Sequence, residues 1–111
     1  MSDTPRKGDV FWIDFDPQKG HEQAGRRPAL VLSGIRYNGA SALALLCPIT
    51  TRVKNYPFEV AVPDGLPVKG VVLADQIKSF DWAARRSKYI CTMPREVIDE
   101  VLDKAILLLE S

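Results

Sequence analysis

The chain has 111 residues, 46% of them hydrophobic and 26% charged, which fits one globular domain (residues 1–111) and excludes a disordered or fibrous chain. Net charge is +1, but residues 94–111 carry −3 and residues 1–93 therefore +4; that is too little for a polynucleotide coat and enough for a local basic groove. The opening Met1-Ser-Asp-Thr-Pro-Arg-Lys-Gly8 has no apolar stretch, and the longest apolar runs, 42–48 and 105–109, are too short to cross a bilayer. A cytoplasmic chain with no signal peptide and no membrane contact is expected.

Asp9–Phe15 is rich in aromatic and β-branched residues and predicts a first strand. Residues 16–27, Asp-Pro-Gln-Lys-Gly-His-Glu-Gln-Ala-Gly-Arg-Arg, hold almost no large apolar side chain and read as a long loop; such loops are often functional. Residues 28–33 form a second strand, apolar on both faces and so central. Tyr37-Asn-Gly39 reads as a turn. Residues 42–49 predict a third, buried strand ended by Pro48 and followed by a polar stretch, 50–56.

Residues 58–62 alternate as a strand with one wet face. A turn over 63–69 leads to a single strand over 70–78, and 87–92 make a short one. The end changes period: Val97/Ile98, Val101/Leu102, Ala105/Ile106 and Leu108/Leu109 recur at helical spacing, with Pro94 and Glu96 suited to a helix start. Five or six short strands and one terminal amphipathic helix make a mainly β domain, a strongly bent sheet or barrel capped by that helix. Cys47 and Cys91 sit in apolar strand-like segments, where a thiol behaves as a small buried hydrophobe.

One His and two distant Cys give no zinc spacing, and no glycine-rich phosphate loop or serine-hydrolase elbow is present. No metal and no cofactor are expected. Within six residues, however, the long loop places a carboxylate (Glu22), an amide (Gln23) and two guanidinium groups (Arg26, Arg27) around Ala24-Gly25. RNA carries its own nucleophile, the 2′-hydroxyl. A ribonuclease of that kind needs a base for the hydroxyl, charge stabilisation for the phosphorane and a proton for the leaving oxygen. A carboxylate beside arginines supplies the first two. The same residues also suit an ordinary exposed loop, and composition leaves both readings open. A lone His21 cannot run a two-histidine mechanism. Trp12, Phe15, Tyr56 and Phe58 are candidates for stacking on unpaired bases, or for core packing. Arg52, Lys54, Lys78, Arg85, Arg86 and Lys88 are candidates for phosphate contacts, or solvated charges.

Gly8-Asp-Val-Phe-Trp-Ile-Asp-Phe-Asp-Pro17 and Gly20-His-Glu-Gln-Ala-Gly-Arg-Arg-Pro-Ala-Leu-Val-Leu-Ser33 closely resemble the opening of MazF/PemK-type toxins of toxin–antitoxin systems. So do Pro48-Ile-Thr-Thr51, Tyr56-Pro-Phe-Glu-Val60 and Val72-Leu-Ala-Asp-Gln-Ile-Lys-Ser79, in the same order and spacing through to the final helix. The resemblance implies an SH3-like barrel of five to seven short strands. It also implies a homodimer, inhibition by a cognate antitoxin protein, and sequence-specific cleavage of single-stranded RNA. That cleavage uses no metal and leaves 2′,3′-cyclic phosphate and 5′-hydroxyl ends.

On the same resemblance, Glu22 matches the general base, Arg27 the acid or phosphorane stabiliser, and Thr50 a threonine holding the scissile phosphate. Trp12, Phe15, Gln23, Arg26, Thr51, Arg52, Lys54, Asp75, Gln76 and Lys78 fall to RNA binding, with Asp75–Lys78 lining the groove. An alternative is a non-catalytic toxin of the same barrel that traps a protein target such as DNA gyrase. That family acts through an aromatic C-terminal tail, whereas this sequence ends Leu107-Leu-Leu-Glu-Ser111. A non-cleaving RNA-binding barrel is the third reading, against which Glu22 with Arg27 argues.

Overall fold

The computed structural model describes residues 4–15, 25–84 and 86–110. In chain order they form β1 (Asp9–Phe15), β2 (Gly25–Val31), α1 (Ile35–Ser41), β3 (Leu43–Thr50), β4 (Glu59–Ala61), β5 (Val71–Leu73), β6 (Lys78–Asp81), β7 (Lys88–Thr92) and α2 (Arg95–Glu110). Every strand pairing is antiparallel, in the order β4-β5-β3-β2-β1-β7, with β6 joining β3 as well. The mainly β reading with a terminal helix holds. The outer strands β4 and β7 do not pair, so the sheet coils without closing its ladder.

Strand β3 is the pivot. Its first half, Leu43 to Leu46, pairs with β6, while Ile49 and Thr50 pair with β5 on the same side. Because side chains alternate along each strand, the sheet builds an apolar layer on both faces. On one face lie Val10, Leu30, Cys47, Ile49, Val60 and Val72, closed over by Met93, Val97 and Val101 at the start of α2. On the other lie Phe11, Ile13, Phe15, Ala29, Val31, Ala44, Leu46 and Phe80, with Trp82 packed against them. Helix α2 buries Val97, Val101 and Ala105, one residue per turn, and Lys104 ties it down by donating to the backbone oxygens of Pro57 (2.6 Å) and Glu59 (3.2 Å). Ile106, Leu108 and Leu109, expected to extend the buried stripe, are exposed, as is Leu107.

Three expectations are corrected. Strand β2 begins at Gly25, three residues earlier than its apolar stretch, because β1 pairs with it as far as Phe15↔Gly25. Tyr37-Asn-Gly39 is not a turn but the middle of α1. Asn38 is fully buried there; its amide donates to the Pro5 and Ser33 carbonyls (2.8 and 3.0 Å), and its own carbonyl accepts the Trp82 indole N–H (3.2 Å). That network, not helical periodicity, stabilises the short helix. Finally, residues 70–78 are two strands rather than one. A turn at Ala74–Asp75 interrupts them beside Cys47 and Pro48, the part of β3 between its pairings with β5 and β6.

Candidate active site

The end of the β1–β2 ladder carries two consecutive arginines that the pleat sends to opposite faces. Arg26 stands across from Asp14, and Arg27 across from Ile13. The Arg26 guanidinium meets the Asp14 carboxylate at 3.0 Å and also donates to the Arg86 carbonyl at 3.1 Å. Arg86 approaches the other Asp14 oxygen at 3.4 Å. Arg27, half-buried, shares the face of Ile13 and Ala29.

Strands β2 and β3 pair as Val31↔Leu46, Leu30↔Cys47 and Ala29↔Pro48. Pro48 has no N–H to give, and no further rung forms. Continued by two residues, the same register sets Arg27 opposite Thr50. Thr50 is 5% exposed, and its hydroxyl accepts the Arg52 N–H at 3.1 Å. Its cross-strand partner is Val71. Gly70, just before Val71, has φ +111 and passes so close to the Thr50 carbonyl that a β-carbon there would collide with it. The backbone of Thr50 is thus held from one side by a position only glycine can occupy.

Beyond Thr50, residues 51–57 are exposed, which puts Thr51, Arg52 and Lys54 on the surface next to it. The Lys54 N–H donates to the Glu59 carboxylate (3.0 Å), and the rings of Tyr56 and Phe58 lie 5.9 Å apart. In the β5–β6 turn Asp75 is exposed, and the Gln76 N–H donates to the Leu73 carbonyl (3.1 Å). Burial, with the Asp75 charge adding to it, pushes the Cys47 thiol up to about 12. That inertness agrees with the buried-hydrophobe reading. Burial, then Asp9, also raises the Cys91 thiol. Lys78 stands across from Leu46 on the Arg27 face of the sheet.

The expected residues therefore divide. Arg27 and Thr50 lie on one face of the sheet, two residues past the last β2–β3 pair, with Thr51, Arg52 and Lys54 following Thr50 in the chain. Trp12, 37% exposed between Pro28 and Lys88, lies with Arg26 on the other face. Phe15 is a correction: it is 5% exposed and packs edge-on against Phe80 (4.9 Å), so it is core and offers no surface for a base. Glu22, Gln23, His21 and Arg85 lie outside the described residues. Asp14 was missed. Spacing did not single it out, because β1 also carries Asp9 and the pairing with Arg26 exists only in the folded ladder. Among the described residues no three His, Cys, Asp or Glu side chains converge as metal ligands.

A profile of the PemK-like, MazF-like toxins of type II toxin–antitoxin systems matches residues 6–109. The chain belongs to this family. It is 54% identical over 82 residues to the endoribonuclease toxin MazF of Escherichia coli (strain K12), covering 74% of this chain and 73% of that one. A crystal structure of MazF from Deinococcus radiodurans superposes with a TM-score of 0.94 at 49% identity, over 99% of this chain and 100% of the other. MazF in a MazE–MazF crystal from the same organism matches with a TM-score of 0.89 at 50% identity, over 98% of each chain. Arg27 and Thr50 are the two described residues to which the MazF/PemK resemblance assigns catalytic roles, and they lie on neighbouring strands, β2 and β3.

Proposed function

We propose that this chain is a MazF-like toxin that cleaves single-stranded RNA without a metal, the RNA's own 2′-hydroxyl attacking the adjacent phosphorus. The O2′–P bond forms as the P–O5′ bond breaks, leaving a 2′,3′-cyclic phosphate and a 5′-hydroxyl. What supports this reading is that the β2–β3 register, continued two residues past its last pair, sets Arg27 opposite Thr50, in a chain of this family. A guanidinium on that face stabilises the negative charge gathering on the phosphorane, and a hydroxyl beside it orients a phosphate oxygen. Glu22, five residues before Arg27, is assigned the base that takes the 2′-proton. Arg52, Lys54 and Lys78 supply phosphate contacts, with Thr51, Asp75 and Gln76 beside them for the bases.

A homodimer silenced by an antitoxin completes the proposal. A surface that accepts phosphates also accepts carboxylates, so an acidic antitoxin segment is the natural competitor for RNA.

The test is cleavage of one long RNA of known sequence in excess chelator, with both new ends identified chemically. Cuts should persist, the ends should be cyclic phosphate and hydroxyl, and a single 2′-deoxy substitution 5′ to a cut should abolish it. Activity that vanishes with chelator and returns with magnesium, or equal cutting of the deoxy substrate, overturns the mechanism.

A further inference from the structure

We infer that Arg26 is a positioning residue of the RNA-cleaving site and not an RNA ligand: with Asp14 and Arg86 it ties down the end of β2 and so sets the direction of Arg27. This rests on the function proposed above.

Three observations carry it. First, β2 pairs with β3 only over Ala29–Val31, whereas its pairing with β1 runs on to Gly25. The stretch that includes Arg27 is therefore held in the ladder from the β1 side alone. Second, the side chains on that side reinforce the ladder. Asp14 and Arg26 are directly opposed and joined at 3.0 Å, the placement in which a cross-strand charge pair contributes most. Third, the tie reaches a third element. The same Nη1 of Arg26 donates to the Arg86 carbonyl at 3.1 Å, and Arg86 takes a left-handed conformation (φ +54) rare for a residue with a side chain. Arg86 Nε closes the arrangement on Asp14 at 3.4 Å.

The charge count points the same way. Arg26 already faces a carboxylate and a carbonyl, so an RNA phosphate would have to displace both. Arg27, one residue on, lies on the other face of the sheet. Loosening Arg26 would let the strand end rotate about its axis and swing Arg27 away from Thr50. A displacement of this order lowers the rate of the chemical step while leaving ground-state contacts largely intact.

The experiment uses the full chain and the shortest RNA that it cuts, with the analogue carrying a 2′-deoxy group at the cut as a binding probe. Arg26→Gln should lower kcat by about 10- to 100-fold, with KM, analogue affinity and the pH profile nearly unchanged. Asp14→Asn should act in the same direction, and the double variant should be no worse than the poorer single one. Arg26→Lys, which keeps the pairing with Asp14, should recover most of the loss.

If Arg26 holds phosphate instead, Arg26→Gln weakens the analogue and reduces its salt slope by about 1. Asp14→Asn, by freeing the guanidinium, then tightens binding. Either result overturns the inference. So does a pH profile displaced in Arg26→Gln, which a purely positioning role would leave in place. If the wild-type chain cuts no RNA, the functional reading falls, and the tie is judged by amide hydrogen exchange. Exchange should speed up at 25–27 in Arg26→Gln and remain unchanged in α2; unchanged exchange at 25–27 overturns the tie.

Discussion

At the end of β1 and β2, the two faces of the sheet handle charge differently. On the face covered by α2, the Asp14 carboxylate is shared by Arg26 and Arg86 within 3.4 Å. On the opposite face, Arg27 and Thr50 have Ile13 and Val71 as cross-strand partners, neither of which carries a charge. The residues of the first group answer each other's electrostatic needs. Those of the second face uncharged residues across the ladder, on the side of the sheet where the proposed function sets the RNA phosphate. Two arginines adjacent in sequence thus meet different surroundings, because the pleat sends them to opposite faces.

The contrast can be broken most forcefully through the apolar middle of the α2-covered face. Leu30 is fully buried there, and Leu30→Ala should cost about 2–5 kcal/mol of stability. Its thermal midpoint should then fall by roughly 10 °C or more. Any folded fraction should keep its rate per active molecule, as measured by activity against circular dichroism. A folded but inactive Leu30→Ala would contradict the division between packing and chemistry.

Arg27→Ala should do the reverse, losing roughly 100- to 1,000-fold in turnover, or about 2.7–4 kcal/mol of barrier, with little change in melting. His21→Ala should stay close to wild type in the same assay. A dead His21→Ala beside a live Arg27→Ala would move the chemistry to another group.

The smallest effect is silent at neutral pH. An unfolded Cys47 thiol ionises near its ordinary 9.0, while the folded one holds its proton to about 12. Stability is therefore indifferent to this thiol below about 9 and declines as pH rises from there toward 12, since only the unfolded state gains by ionising. Denaturant melts of wild type and Cys47→Ala across that range should converge as pH rises. Parallel curves would show that the thiol is not sequestered.

Legibility in the sequence followed the physics of each segment. Period-two and period-3.6 patterns survive wherever an element buries one face, so β1, β3, β4 and α2 could be read to within a few residues. Helix α1 could not. Ile35–Ser41 has no apolar stripe, and its stability comes from Asn38 bonding to Pro5, Ser33 and Trp82 across the chain. The break between β5 and β6 was hidden because no Gly, Pro or Asn marks the turn at Ala74–Asp75. Phe15 was ambiguous for a related reason: composition does not say which face of a strand meets Phe80. For the site, the composition of the loop offered Arg27 and the family resemblance offered Thr50, but only the register of β2 on β3 relates them in space. Asp14 was passed over because a charge in an apolar strand draws attention only when its partner across the ladder is known.

Strand β1 lies between β2 and β7, so Asp9 pairs with Thr92 as well as neighbouring the strand that follows it. A nascent chain exposes β1 long before its second neighbour exists. Folding must wait for a loop of some eighty residues to close, and sheets built on such distant pairings form in milliseconds to seconds rather than microseconds. Throughout that interval β1, with Val10 and Phe11 still uncovered, has an open edge able to pair with other chains. Cooperative assembly therefore comes late in synthesis, and a chain truncated before residue 88 should accumulate as aggregate, not as a weaker version of the whole.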